Sequence, residues 1–112
     1  MKVAIPLAGE RLSMHFGHCA RFAVMDVDRD LRVIRGREDV DAPPHSPGLL
    51  PPWLAGHDVQ LVLAGGMGGR AKNLFAQHGV EVITGVPEGT PEEIIGLWLE
   101  GTLVTGENIC DH

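Results

Sequence analysis

Two short stretches, Val3-Ala4-Ile5 and Leu61-Val62-Leu63-Ala64, are apolar at every successive position. A strand with one wet face alternates, whereas a strand covered on both faces does not, so runs of this kind belong at the centre of a sheet with helices on either side. Lys2 to Leu7 and Val59 to Ala64 therefore read as two central strands, and the rest of the chain must supply edges and covers for them. A length of 112 residues is that of one domain, and 44% hydrophobic with 21% charged residues is a globular balance that disfavours disorder and coiled coil.

The remaining elements fall into place around that centre. Phe22 to Val27 and Leu31 to Arg37 form a hairpin joined at Asp28-Arg29-Asp30, and Arg32, Arg35 and Arg37 alternate with apolar neighbours as on an edge strand. Glu38 to Gly48, with Pro43, Pro44 and Pro47, is a loop leading to a short helix from Pro51 to Ala55. Ala71, Leu74, Phe75 and His78 recur at helical spacing up to Gly79, and Val80 to Thr84 is a further strand. Thr90-Pro91-Glu92-Glu93 opens a last helix with a capping box and buries Ile94, Ile95, Leu97 and Trp98 before Gly101. The order implies an α/β fold in one domain spanning residues 1–112: a mixed five-stranded sheet with an initial hairpin and flanking helices. In such sheets, ligands meet the loops at the carboxyl ends of parallel strands.

Those loops hold the residues with chemistry. Ser13-Met14-His15-Phe16-Gly17-His18-Cys19 gathers two imidazoles, a thioether and a thiol into seven positions, a concentration of soft and borderline metal ligands. Gly65-Gly66-Met67-Gly68-Gly69 runs from a strand into a helix, where free backbone N–H groups can face an anion, with Arg70 and Lys72 in the first turn. It has neither the Walker spacing nor the dinucleotide fingerprint, so nucleotide is not specifically indicated. Cys110 and His112 are two apart, a spacing that presents both side chains on one side of an extended segment, and His45 stands in the proline loop. His15, His18, Cys19, His45, Cys110 and His112 are thus the candidate metal ligands. His57 and His78, at helix ends, and Trp53 and Trp98, at core spacing, read as structural.

Charge and composition narrow the partners. A net charge of −6 repels nucleic-acid phosphates, although seven of the nine basic residues are Arg and a local positive pocket survives inside that field. The apolar stretch from Val3 to Ala8 is too short for a signal-peptide core and no run is long enough to span a bilayer, so a cytoplasmic location with reduced thiols is expected.

The chain resembles the dinitrogenase iron-molybdenum cofactor biosynthesis family, which includes the molybdenum-copper orange protein of sulfate-reducing bacteria. The resemblance runs over nearly the whole chain and is carried by Lys2-Val-Ala-Ile-Pro6, Ser13-Met-His-Phe-Gly-His-Cys-Ala-Arg-Phe22, Leu50-Pro51, Gly65-Gly-Met-Gly-Gly-Arg-Ala71 and Gly79-Val-Glu-Val82. It implies a ribonuclease-H-like fold and a role in binding or transferring a metal-sulfur cofactor without turnover, placed on Ser13, His15, Phe16, Gly17 and the Gly65 to Gly68 loop.

The residues and the resemblance together give a carrier or scaffold for an anionic, molybdenum-containing metal-sulfur cluster (Mo-Cu or Fe-Mo), held by Ser13, His15, Phe16, Gly17, His18, Gly65, Gly66, Met67, Gly68 and Arg70, with an unidentified protein partner. The alternative is a sensor or docking module that binds a single Zn or Cu ion through the His and Cys pairs. Nuclease chemistry is disfavoured, because such an enzyme needs acidic residues on its central strands and neither Val3 to Leu7 nor Val59 to Ala64 has one.

Overall fold

A computed structural model of the chain describes residues 1–44, 46 and 48–106, with His18 as backbone alone. The sheet runs β1 (Lys2–Ala8), β2 (Arg11–Leu12), β3 (Arg21–Asp28), β4 (Val33–Asp41), β5 (Val59–Leu63) and β6 (Glu81–Ile83) in chain order. The α-helices α1 (Leu50–Gly56), α2 (Gly69–Gln77) and α3 (Pro91–Glu100) alternate with the later strands. In space the strands lie β4-β3-β1-β5-β6, with β2 paired to β1 alone. β1, β5 and β6 are parallel, while β3 and β4 form the antiparallel hairpin beside them. This is the mixed sheet with flanking helices that the sequence implies, and both apolar runs occupy its middle.

Side chains alternate across the sheet and split the core into two layers. On one face Val3, Ile5, Leu7, Met25, Leu61 and Leu63 pack under Ile94 and Ile95 of α3. On the other Ala4, Phe22, Val24, Val62 and Ala64 pack under Leu54 of α1 and Phe75 of α2. The capping box at α3 is formed: the Glu93 N–H donates to Thr90 Oγ1 at 3.3 Å, and the Thr90 N–H donates to Glu93 Oε1 at 3.2 Å. His57 and His78 stand at the C-terminal caps of α1 and α2, and Trp53 packs against Phe22.

Three differences from the sequence reading have physical causes. Among the described residues there are six strands rather than five, because the chain after β1 turns back at Gly9 and pairs Leu12 with Leu7 and Arg11 with Ala8. The second hairpin strand begins at Val33 and continues to Asp41 instead of running from Leu31 to Arg37. Its acidic end is a poor strand former by composition, yet β3 offers a pairing partner as far as Arg21, whose guanidinium lies 3.4 Å from Asp39 and 3.6 Å from Asp41. Finally, the simple alternation read for that strand is broken where the register shifts opposite Asp26 and Val27: Gly36 and Ile34 are both paired, and Arg35 between them is bulged out. Among the described residues, no helix is long and apolar enough to cross a membrane.

Phe75 is fully buried, whereas the α3 cap is exposed. Equilibrium urea unfolding followed by circular dichroism should therefore show Phe75→Ala losing about 3–5 kcal/mol and Thr90→Ala only about 1 kcal/mol.

Candidate functional site

β1 and β5 are parallel neighbours, so the loops that follow them leave the same edge of the sheet. The β1–β2 ribbon folds the first of these back over its own strand, where the Ser13 N–H donates to the Pro6 carbonyl at 2.8 Å. Ser13 is buried, and its hydroxyl serves its own turn, donating to the His15 carbonyl at 3.1 Å and accepting from the His15 N–H at 3.4 Å. A 3-10 turn over Phe16–His18 follows, and the Cys19 thiol donates back to the Phe16 carbonyl at 3.1 Å.

The second loop meets the first directly. The Phe16 N–H donates to the Gly66 carbonyl at 3.3 Å. A Cβ at Gly65 would lie 3.0 Å from Met14 Sδ and 3.1 Å from Met14 Cα, so the close approach of the two backbones depends on glycine there. Phe16 then drives its ring into the core, with its centroid 5.6 Å from that of Phe22 and 5.5 Å from that of Phe75. On its far side the glycine loop is tied to the segment after β6, as the Gly85 N–H donates to the Gly65 carbonyl at 2.9 Å.

A cleft of about 780 Å³ opens on the α1 and α2 side of these joined loops. Phe16, Gly17, Cys19 and Ala20 line it from the first loop, Gly68, Arg70, Ala71 and Leu74 from the start of α2, and Ala42, Pro43, Pro44, Leu49, Leu50 and Pro51 from the proline loop and α1. Arg70 is the one charged side chain among these lining residues. Gly68 precedes α2 as its N-cap with no side chain to bond the first turn, and that turn has no acidic residue, so its leading N–H groups and the positive end of its dipole are not answered by a side chain. Cys19 is half-buried, and desolvation pushes its thiol up to about 11, so the group facing the cleft is a neutral S–H at physiological pH.

The residues singled out from sequence thus separate into three groups. Phe16, Gly17, Cys19, Gly68 and Arg70 share the cleft. Ser13, Gly65, Gly66 and Met67 are buried behind it, where Ser13 closes its own turn and Gly65 and Gly66 meet the first loop; His15 is exposed on that first loop. The side chain of His18, together with His45, Cys110 and His112, lies outside the described residues. Among the described residues, no three His, Cys, Asp or Glu side chains converge as a metal cage. The apolar wall was not singled out from sequence; its signal was the proline loop running straight into Leu49-Leu50-Pro51, which reads equally well as plain packing.

A family model described as dinitrogenase iron-molybdenum cofactor matches residues 1–101. The chain belongs to this family. An uncharacterized protein of Methanocaldococcus jannaschii, MJ0580, is 30% identical over 108 residues, which is 92% of this chain and 89% of that protein. Among solved structures, the crystal structure of PH0822 superposes with a TM-score of 0.88 at 31% identity, covering 96% of both chains. The apo form of the orange protein from Desulfovibrio gigas gives a TM-score of 0.70 at 23% identity over 96% of this chain and 93% of that one, a likeness of fold. The family of the dinitrogenase cofactor is thus the one the sequence motifs resemble.

Two measurements probe this geometry. Gly65→Ala forces a Cβ against the Met14 backbone and should cost about 1–3 kcal/mol in urea unfolding, with faster amide exchange at Phe16. In a Cys110→Ser background, alkylation of Cys19 by iodoacetamide should be slow at pH 8 and climb steeply toward pH 11, the value to which burial raises the thiol.

Proposed function

We propose that this chain binds and carries an anionic metal-sulfur cluster containing molybdenum, with copper or iron as its second metal, and passes it to or receives it from a protein partner without catalysing a reaction of its own. The observation that carries this reading is the joining of the His15 and Met67 loops at the edge of the parallel strands, beside a cleft whose polar equipment suits an anion: Arg70 and the uncapped first turn of α2.

The donor set fits such a cargo better than it fits a bare cation or an oxyanion. A cluster that brings its own sulfides is soft and weakly hydrated, so walls made of Phe16, Leu50, Pro51, Ala71 and Leu74 remove little hydration that must be replaced, and a guanidinium with backbone amides offsets its charge. Cys19, held protonated with its S–H on the Phe16 carbonyl, offers the cleft a neutral sulfur surface instead of a thiolate ligand. His15, Phe16, Gly17, His18, Gly68 and Arg70 are the residues we assign to the cargo, with Ser13, Gly65, Gly66 and Met67 setting the shape of the loops that hold it. The central strands add a negative argument, since Val3 to Leu7 and Val59 to Ala64 present no carboxylate for metal-assisted hydrolysis.

Anaerobic incubation of the full chain with tetrathiomolybdate and Cu(I), followed by desalting, visible absorption and elemental analysis, tests the reading. Retained molybdenum at a fixed ratio to protein is expected, and Arg70→Ala should weaken retention about 10-fold or more, the scale of a lost charge-assisted hydrogen bond. Protein that emerges free of molybdenum at every ratio tried would sink it. Deleting residues 108–112 separates the alternative: a single-ion Zn or Cu module would lose all metal, whereas the cluster carrier keeps its molybdenum.

A further inference from the structure

The cleft is larger than a small cluster needs. Its volume of about 780 Å³ falls among those of pockets that enclose whole organic molecules, roughly 300–1,000 Å³, and such pockets share its makeup of apolar walls with a few polar groups. At about 30 Å³ for each water-sized atom, a cluster of about ten atoms fills less than half of it.

The cleft is also polar at one place and apolar elsewhere, and α2 sets out the division. Arg70 and Leu74 both line it, one helical turn apart on the same side of α2, so that Leu74 stands about 6 Å further along the axis. Leu74 is where α2 meets the entry to α1: a Cβ at Gly48 would lie 3.7 Å from Leu74 Cδ1, and Leu49, Leu50 and Pro51 continue the wall from there. Across from them stands Phe16, and the neutral Cys19 thiol adds no charge to that side. Among the described residues the ion pairs of arginine engage Arg11, Arg21, Arg32, Arg35 and Arg37 and do not include Arg70, so its guanidinium is left to answer a guest.

This arrangement discriminates by chemistry. A small inorganic oxyanion finds Arg70 but gains nothing from the wall toward Leu74, and a neutral hydrocarbon fills the wall but offers the guanidinium no acceptor. A molecule with an acidic head and an apolar body uses both. We propose that the cleft is a binding site for an organic anion of this kind, its carboxylate or sulfonate on Arg70 beside the start of α2 and its alkyl or aryl body against Leu74, Leu49, Leu50, Pro51 and Phe16. Such binding requires only the cleft. Its consequence for loading rests on the cluster reading above: the organic anion and the cluster compete for Arg70, so the first regulates uptake of the second.

Titration of the full chain with octanoate and with naphthalene-2-carboxylate, followed by amide NMR shifts and calorimetry, tests the site. Octan-1-ol serves as the headless control and acetate as the bodiless one. Saturable binding of one anion per chain is expected, with a Kd of order 1 mM or tighter and shifts centred on Arg70, Ala71, Leu74 and Leu50. Both controls should bind about 10-fold more weakly or worse, the scale of one charge-assisted hydrogen bond or of a few buried methylenes. Arg70→Ala, at an exposed position, should erase the preference for octanoate over octan-1-ol, and Leu50→Glu, which sets a like charge in the apolar wall, should raise the Kd for octanoate by a similar factor. Equal affinity for octanoate and octan-1-ol, shifts centred away from the cleft, or no saturable binding of either anion would each overturn the site. Tetrathiomolybdate retention is read separately: a chain that binds octanoate and retains no molybdenum keeps this site and removes the cluster reading, and the opposite pair of results does the reverse. Where both bind, saturating octanoate should lower molybdenum retention, and retention unchanged by octanoate would overturn the competition for Arg70.

Discussion

The architecture of the site depends on one backbone contact, where the Phe16 N–H meets the Gly66 carbonyl and Met14 lies against a glycine with no side chain to hold it off. Loops this polar at a sheet edge would ordinarily be solvated and variable in position. Here the contact fuses the turns after β1 and β5 into a single rim, and the Phe16 ring, wedged between Phe22 and Phe75, ties that rim to the core layer under α1 and α2. The stability of the core and the shape of the cleft are therefore properties of the same packing.

A division of labour follows between residues that resemble ligands and residues that build the place for a ligand. Ser13, Gly65, Gly66 and Met67 are the most distinctive letters of the two loops, yet all four are buried. Their chemistry is spent on the frame: a hydroxyl closing its own turn, carbonyls accepting across the joint, a thioether filling space. What faces the cleft is plainer, consisting of an uncapped helix start, one guanidinium, a neutral thiol and apolar walls. Such a surface recognises a guest by charge and softness more than by covalent ligation.

Much of the fold was legible because its strongest signals are local or periodic. Unbroken apolar runs marked β1 and β5, and Thr90-Pro91-Glu92-Glu93 marked the start of α3, which carries the capping box that spacing implies. The signals that failed are non-local. Glu38 to Asp41 looks like a loop until Arg21 on the neighbouring strand supplies the countercharge, and Arg11–Leu12 is a strand only because Gly9 turns the chain back on β1. The site was half legible for the same reason: residue type identified both loops, but which side chains face inward is set by the joint between them, and the apolar wall comes from a proline loop distant in sequence. The hydrogen bond from the Gly106 N–H to the Gly85 carbonyl was invisible in a segment without periodicity.

The bulge at Arg35 has an effect on how the molecule behaves among its own copies. β4 is the outermost strand on its side and nearly all of its side chains are exposed, so its free row of amides and carbonyls is a template on which a stranger's strand could be laid down. The extra residue interrupts that row a third of the way along, and the basic and acidic groups beyond it make an incoming apolar strand a poor match. The open margin of this sheet is in this way a poor template for extension by a further strand.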